Sequence, residues 1–160
     1  MFIAEVLVLC AVFTLMVALM FRNPLESVDD FPPEIGRKCR ELGLIKDPVG
    51  SKKVFYLRKL IAMPVMGLIL GLVVTFVNGA TRYWETVMIS YALWFSVDWY
   101  DCLILDFCWA TRSKRFIVPG TEDLIDSYRN KWWHVKMSLI GMVLGVPVAL
   151  FAGLATLVLR

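Results

Sequence analysis

Four stretches of this chain are too long and too apolar for a water-soluble domain to use. Residues 2–20, 60–78, 83–110 and 135–159 each approach or exceed the roughly 20 residues with which a helix crosses a hydrocarbon core about 30 Å thick. Lipid offers the backbone no hydrogen-bond partners, so a stretch that enters it must satisfy its own N–H and C=O groups as a helix. These stretches use more than half of the 160 residues, 59% of which are hydrophobic. No separate soluble domain fits in the remainder. The expected fold is all-α integral membrane: one transmembrane domain over residues 1–160, with four transmembrane helices and short amphipathic interfacial helices.

The basic residues set an orientation. Nine Lys and Arg fall in residues 22–59 and five in residues 112–131, whereas the link near Arg82 carries one. Positively charged loops stay on the cytoplasmic side, so both long basic loops are expected inside and both termini outside. The net charge of +3, distributed this way, reads as a topology signal and lipid-headgroup contact, not as a nucleic-acid footprint. The first stretch carries Glu5 where a signal peptide carries positive charge, and no small-residue cleavage pattern precedes Arg22. It is expected to remain as an anchor. Cys10, Cys39, Cys102 and Cys108 show neither a CxxC pair nor zinc spacing and read as small membrane-core residues.

The loops carry their own punctuation. Phe31-Pro32-Pro33-Glu34-Ile35 opens a helical pattern, with Pro33 suited to the first helical position and Gly43 to the stop. Ile35, Cys39 and Leu42 share a face, which predicts an amphipathic helix on the inner membrane surface. Residues 46–53, with Pro48-Val49-Gly50, read as a loop. In the second basic loop Pro119-Gly120 is a turn, and Thr121 is placed to cap a helix that opens with Glu122 and Asp123. Leu124, Tyr128 and Trp132 then recur at i+4. Helix-packing signals lie in the second and fourth stretches: Gly67 and Gly71 form a GxxxG pair, and Gly141, Gly145, Ala149 and Gly153 fall every fourth residue. Small residues let helices approach closely in lipid, either within one chain or along a homo-oligomer seam.

The third stretch holds the chemistry. It runs Ser96-Val97-Asp98-Trp99-Tyr100-Asp101 and on to Asp106-Phe107-Cys108. At 100° per residue Asp98 and Asp101 share one face, and Asp106 lies about 80° to the other side of Asp98. An aspartate at mid-span costs roughly 2.5–3.5 kcal/mol on insertion scales. Such residues are tolerated when they face protein, pair with cations, bind an ion or take up protons. Two carboxylates one turn apart in low dielectric repel as anions, which makes proton sharing or cation binding natural. Asp98, Asp101 and Asp106 are therefore the ion- or proton-binding candidates. His134 and Glu122 are candidates at the cytoplasmic rim, where they would converge with Asp106. A divalent cation is the cofactor such a set would take: Mg²⁺ or Mn²⁺ on Asp98, Asp101 and Asp106, with Zn²⁺ or Fe²⁺ admitted once His134 joins. The bland alternative leaves Asp106 at headgroup level, paired with Arg112, Arg115 or Lys136. GxSxG, HExxH, P-loop, GxGxxG and CxxCH motifs are absent from the sequence.

The run from Asp98-Trp99 through Asp106-Phe107-Cys108 to Pro119-Gly120-Thr121-Glu122, with His134 following, resembles small uncharacterised bacterial four-helix integral membrane proteins. The resemblance covers the second half of the chain. It implies a four-helix protein of the bacterial plasma membrane and brings no activity with it. Three functions remain open: proton or cation handling, as in transport, through the acids of the third stretch; a non-catalytic subunit or scaffold of a membrane complex; and a membrane-embedded, metal-dependent enzyme acting on a lipid or quinone-like substrate. The expected partners are the lipid bilayer and either copies of the chain or a larger membrane complex.

Overall fold

The structure is a computed structural model. It describes residues 1–45 and 51–158, and side chains except those of residues 51–59. The loop expected at 46–53 falls outside the described residues over 46–50, as does the expected end of the last stretch at Leu159. All regular structure among the described residues is helical. α1 spans Phe2–Met20, α2 Pro33–Glu41, α3 Ser51–Asn78, α4 Tyr83–Tyr100, α5 Ile125–Tyr128 and α6 Lys131–Val158. A 3-10 stretch, Pro24–Asp30, lies between α1 and α2, and α4 runs on as a π-helix over Asp101–Ala110.

Among the described residues three helices, not four, are long and apolar enough to cross a membrane: Phe2–Met20, Leu60–Asn78 within α3, and Lys131–Val158. The stretch at 83–110 is helical throughout but falls short of that standard. Glu85, Asp98, Asp101 and Asp106 interrupt its apolar residues, and each acid offsets several of them on a transfer scale. The three apolar helices suit a membrane protein. Their outward faces are large and greasy, with Ile3, Leu7, Val12, Leu60, Phe76 and Val143 more than half exposed, surface that water would not leave uncovered.

By its contacts the chain divides into two compact units: Met1–Val6, Pro48–Asp98 and Leu139–Arg160 form the first, and Leu7–Asp47 with Trp99–Ser138 the second. The first is seamed by glycine. A Cβ at Gly67 would overlap the backbone of Val148 and the Cβ of Phe151, and one at Gly71 would overlap the backbone of Ala152. Gly145 makes room for the Trp94 indole, and Gly153 for Tyr83 and Val87. All of these glycines are filled from within the same unit. Two aromatic heads then bond helix carbonyls: Trp94 Nε1 donates to Gly141 O at 3.0 Å and Tyr83 OH to Leu150 O at 3.1 Å. Near the start of the chain, Asn78 Nδ2 donates to Glu5 Oε2 at 2.9 Å.

The second unit has a conventional core, in which Val28, Ile35, Cys39, Val118 and Tyr128 are buried together. α2 begins at Pro33 and stops before Gly43, whose φ of +69° suits the left-handed position that closes a helix. Its apolar face was expected to lie in headgroups. Instead Ile35 and Cys39 are fully buried against protein, while Leu42, beyond the helix end, is 46% exposed. The two basic loops thus supply one another's apolar cover. Lys38 and Asp123 join them across an exposed ion pair of 3.2 Å.

The second basic loop also departs from expectation at its cap. Thr121 precedes a 3-10 turn, Glu122–Leu124, yet its side chain does not cap it. The hydroxyl donates to Val118 O at 2.8 Å, and Glu122 takes over the local work by accepting from Gly120 N–H at 2.9 Å. The i+4 run from Leu124 to Trp132 is broken after Tyr128, because Asn130 Oδ1 accepts from the N–H groups of Trp132 and Trp133 and starts a new helix. α6 therefore begins at Lys131, four residues before the expected boundary, and His134 lies in its first turn. Arg115 closes the far end of α1, donating to Ala18 O at 2.8 Å and Phe21 O at 3.3 Å; cations suit a helix C-terminus.

Candidate functional site

The second unit contains a cavity of about 330 Å³, inside the range in which small ligands are held. It is walled by Phe13, Met16, Phe21, Phe31, Phe116 and Trp133, and its polar lining includes Asp30, Asp101, Asp106, Tyr128 and His134. Part of the wall is a chain of ring contacts. Phe21 meets Phe116 with centroids 4.6 Å apart and Phe31 at 5.6 Å, and Phe31 meets Tyr128 edge-on at 5.1 Å. Such aromatic pairs are rigid and well specified.

At one place in this wall His134 Nδ1 lies 3.0 Å from Asp106 Oδ2. The other ring nitrogen, Nε2, is 3.2 Å from the backbone carbonyl of Tyr128. A carbonyl only accepts, so Nε2 carries a hydrogen. The contact at Nδ1 then needs one more proton between nitrogen and carboxylate. That proton makes the pair either imidazolium with carboxylate or imidazole with carboxylic acid; without it, a lone pair would face an anion. Geometry of this kind has a place for one proton between ring and carboxylate.

The fold explains how the dyad is assembled. Between Asp101 and Ala110 the chain is a π-helix, and Thr111 N–H bonds back to Asp106 O across five residues. Residues five apart sit one above the other in such a turn, so Asp101 and Asp106 both reach the same cavity. Uniform α geometry had set them on different faces. On the other side, Tyr128 is clamped before it offers its carbonyl to His134. Its OH accepts from Val118 N–H at 3.1 Å and donates to Thr121 Oγ1 at 2.8 Å, the threonine hydrogen being already committed to Val118 O. Burial pushes the Tyr128 hydroxyl above the ordinary tyrosine range, against the lowering pull of its bonds to Thr121 and Val118. Burial likewise pushes the Cys39 thiol up, with Arg40 pulling weakly the other way, so this cysteine behaves as a small apolar residue.

The remaining candidates from the sequence lie elsewhere. The Asp98 carboxylate fills the space beside Gly141 in the first unit, where a Cβ on that glycine would overlap it. Glu122 is held in its own turn by Gly120 and does not line the cavity. Of the cations expected beside Asp106, Arg115 serves α1 and Lys136 lies over the Trp133 ring at 5.9 Å, while the ion pair of Asp106 is with His134. Among the described residues no group of three or more His, Cys, Asp or Glu side chains is arranged to hold a metal ion. Sequence reading missed Tyr128 as a part of the site. Its contribution is a backbone carbonyl, which no residue type signals.

Neither protein-family models, nor curated proteins, nor solved structures match this chain.

Proposed function

We propose that this is a small polytopic membrane protein that handles protons, with Asp106 and His134 as the group that takes up and releases them. The observation that carries this reading is the 3.0 Å contact between His134 Nδ1 and Asp106 Oδ2, with Nε2 already committed to a carbonyl. A proton shared in the wall of a cavity can be exchanged with whatever enters it. An ionisable pair within membrane helices is a functional group by default, since its insertion cost must be offset by a partner.

The stretch at 83–110 is read as a fourth crossing, with both basic loops cytoplasmic and both termini outside. Its acids are the ones that make it less apolar than its neighbours, and two of them have protein environments of the kind that tolerates them: Asp106 its histidine, and Asp98 its berth on Gly141. A bacterial plasma membrane is the setting in which that charge pattern is read.

Purified protein in liposomes loaded with a pH-sensitive dye tests the proposal. Under a valinomycin-clamped potassium gradient, the wild type is expected to collapse an imposed pH difference, and Asp106→Asn to slow that flux at least tenfold. Equal flux from wild type and Asp106→Asn, or wild-type flux no faster than empty vesicles, overturns it. Because the chain has a single histidine, ¹⁵N-histidine NMR reports on His134 alone. The Nδ1 resonance should show a shared proton that is lost in Asp106→Asn.

A further inference from the structure

Most of the polar groups in the cavity wall are already committed. His134 uses both ring nitrogens, one on Asp106 and one on the Tyr128 carbonyl. The Tyr128 hydroxyl is buried and engaged with Val118 and Thr121. Trp133 Nε1 donates to Asp30 O, and Asp30 and Asp101 have interactions of their own. What is left is Asp106 Oδ1. Among the described residues it has no hydrogen-bond partner, and the side chain is 27% exposed. This oxygen can only accept. The dyad proton lies between Nδ1 and Oδ2, so Oδ1 belongs to a carboxylate or is the carbonyl oxygen of the acid, and in neither form does it carry a hydrogen. The surfaces around it are mainly rings. A visitor that uses the whole site therefore needs an aromatic body and one hydrogen-bond donor. A cation would compete with the dyad proton for the carboxylate, and an aliphatic chain would use the walls alone.

Resting on the reading of Asp106 and His134 as a proton-holding pair, we infer that this cavity binds a phenol, with its ring packed against Phe21, Phe31 and Phe116 and its hydroxyl donated to Asp106 Oδ1. Aromatic rings pair with one another offset or edge-on, and a hydrogen bond with an ionised partner is roughly twice as strong as one between neutral groups. The volume of about 330 Å³ leaves room for one or two fused rings. The phenol keeps its hydrogen, and no covalent bond to it is made or broken. Binding nonetheless acts on the dyad. A hydrogen bond donated to a carboxyl group stabilises its ionised form, so the bound phenol holds the dyad proton on the ring of His134.

The test uses the full chain, free of any histidine tag, in a neutral detergent with ¹⁵N-histidine as reporter. The chain has one histidine, so the signal comes from the site and not from probe dissolved in the micelle. Two probes share a ring system: 2-naphthol, and 2-methoxynaphthalene, whose oxygen has no hydrogen to give. At matched concentrations in the micelle, 2-naphthol is expected to move the Nδ1 resonance towards imidazolium and to saturate, with half-saturation at least tenfold below that of the ether. Equal half-saturation overturns the inference and makes the cavity a pocket for any apolar molecule, lipid tails included. A naphthol titration that leaves the resonances unmoved overturns it as well. With donor binding established, 4-methylphenol and 4-octylphenol separate the sources of the phenol: saturation by both supports a head carried on a lipid tail, and saturation by the short one alone supports a small solute. Proton flux in liposomes is a separate measurement. Naphthol binding without flux discards the proton-handling reading and keeps the phenol site, and flux without naphthol binding does the reverse. The probes need no variant, so a misfolded mutant cannot blur the comparison.

Discussion

Gly71 and His134 represent two ways of holding helices together, one in each compact unit. Around Gly71 contact is made by backbone, with Ala152 so near that there is no room for a side chain. Around His134 contact is made by rings and hydrogen bonds placed about a space. In lipid, apolar side chains gain little by leaving one membrane neighbour for another, so close approach across small residues has to supply the association. A unit built that way is dense. The second unit draws on two loops with their own buried core, which lets it support a cavity and an ionisable pair at its edge.

Substitutions can break this contrast, starting with its most rigid point. Gly71→Leu should have the largest effect: the new side chain must displace the backbone of Ala152, costing on the order of 3 kcal/mol or more. Thermal unfolding in detergent, or yield of folded protein, reads it; a variant as stable as wild type would mean the seam is loose. Thr121→Val probes the second unit without touching the cavity lining. It removes the acceptor of the Tyr128 hydroxyl, a buried bond, and should cost about 1–2 kcal/mol, with a parallel slowing of proton flux because the carbonyl that holds His134 loses its clamp.

Alkaline pH sharpens the same point more gently. Tyr128 ionises less readily in the folded protein than in the unfolded chain, so its contribution is fully present below the unfolded pKa of about 10. That contribution is lost as pH rises through the higher folded value. Stability measured from pH 9 to 11 should fall less steeply in Tyr128→Phe than in wild type. The smallest effect belongs to Lys38→Ala. The ion pair with Asp123 is exposed, and its loss should cost no more than about 0.5 kcal/mol, vanishing at high salt.

Much of this architecture is legible in the sequence because it rests on one-dimensional signals. Apolar length marks α1, α3 and α6 without any knowledge of packing. Pro33 and Gly43 bracket α2 because one fixes the φ of a helix start and the other accepts the left-handed φ of its end. Small residues at fourfold spacing mark the seam. The site is only half legible. Asp106 and His134 are visible as residues that need partners, yet their meeting depends on two local events that periodicity does not encode. One is the cap at Asn130, which sets His134 in the first turn of α6; an Asn before Lys131-Trp132-Trp133 was a signal that could have been read. The other is the widening of the helix after Tyr100, for which Asp101–Ala110 carries no distinctive residue pattern. Glu122 illustrates the converse: an acid suited by type to the site is kept in its own turn by the nearest free N–H, that of Gly120.

The π-helix has a further consequence, best counted in codons. A π turn holds one residue more than an α turn over nearly the same rise, so the path from Asp101 to Asp106 is an α path with one residue inserted. Deleting a single residue between them, for instance Leu103, would bring the two carboxylates four positions apart, and ordinary α geometry would then keep them on one face. Composition, length and hydropathy would barely change. The Asp106 carboxylate would still stand over that of Asp101, so the widened turn absorbs one position that an α turn would not need.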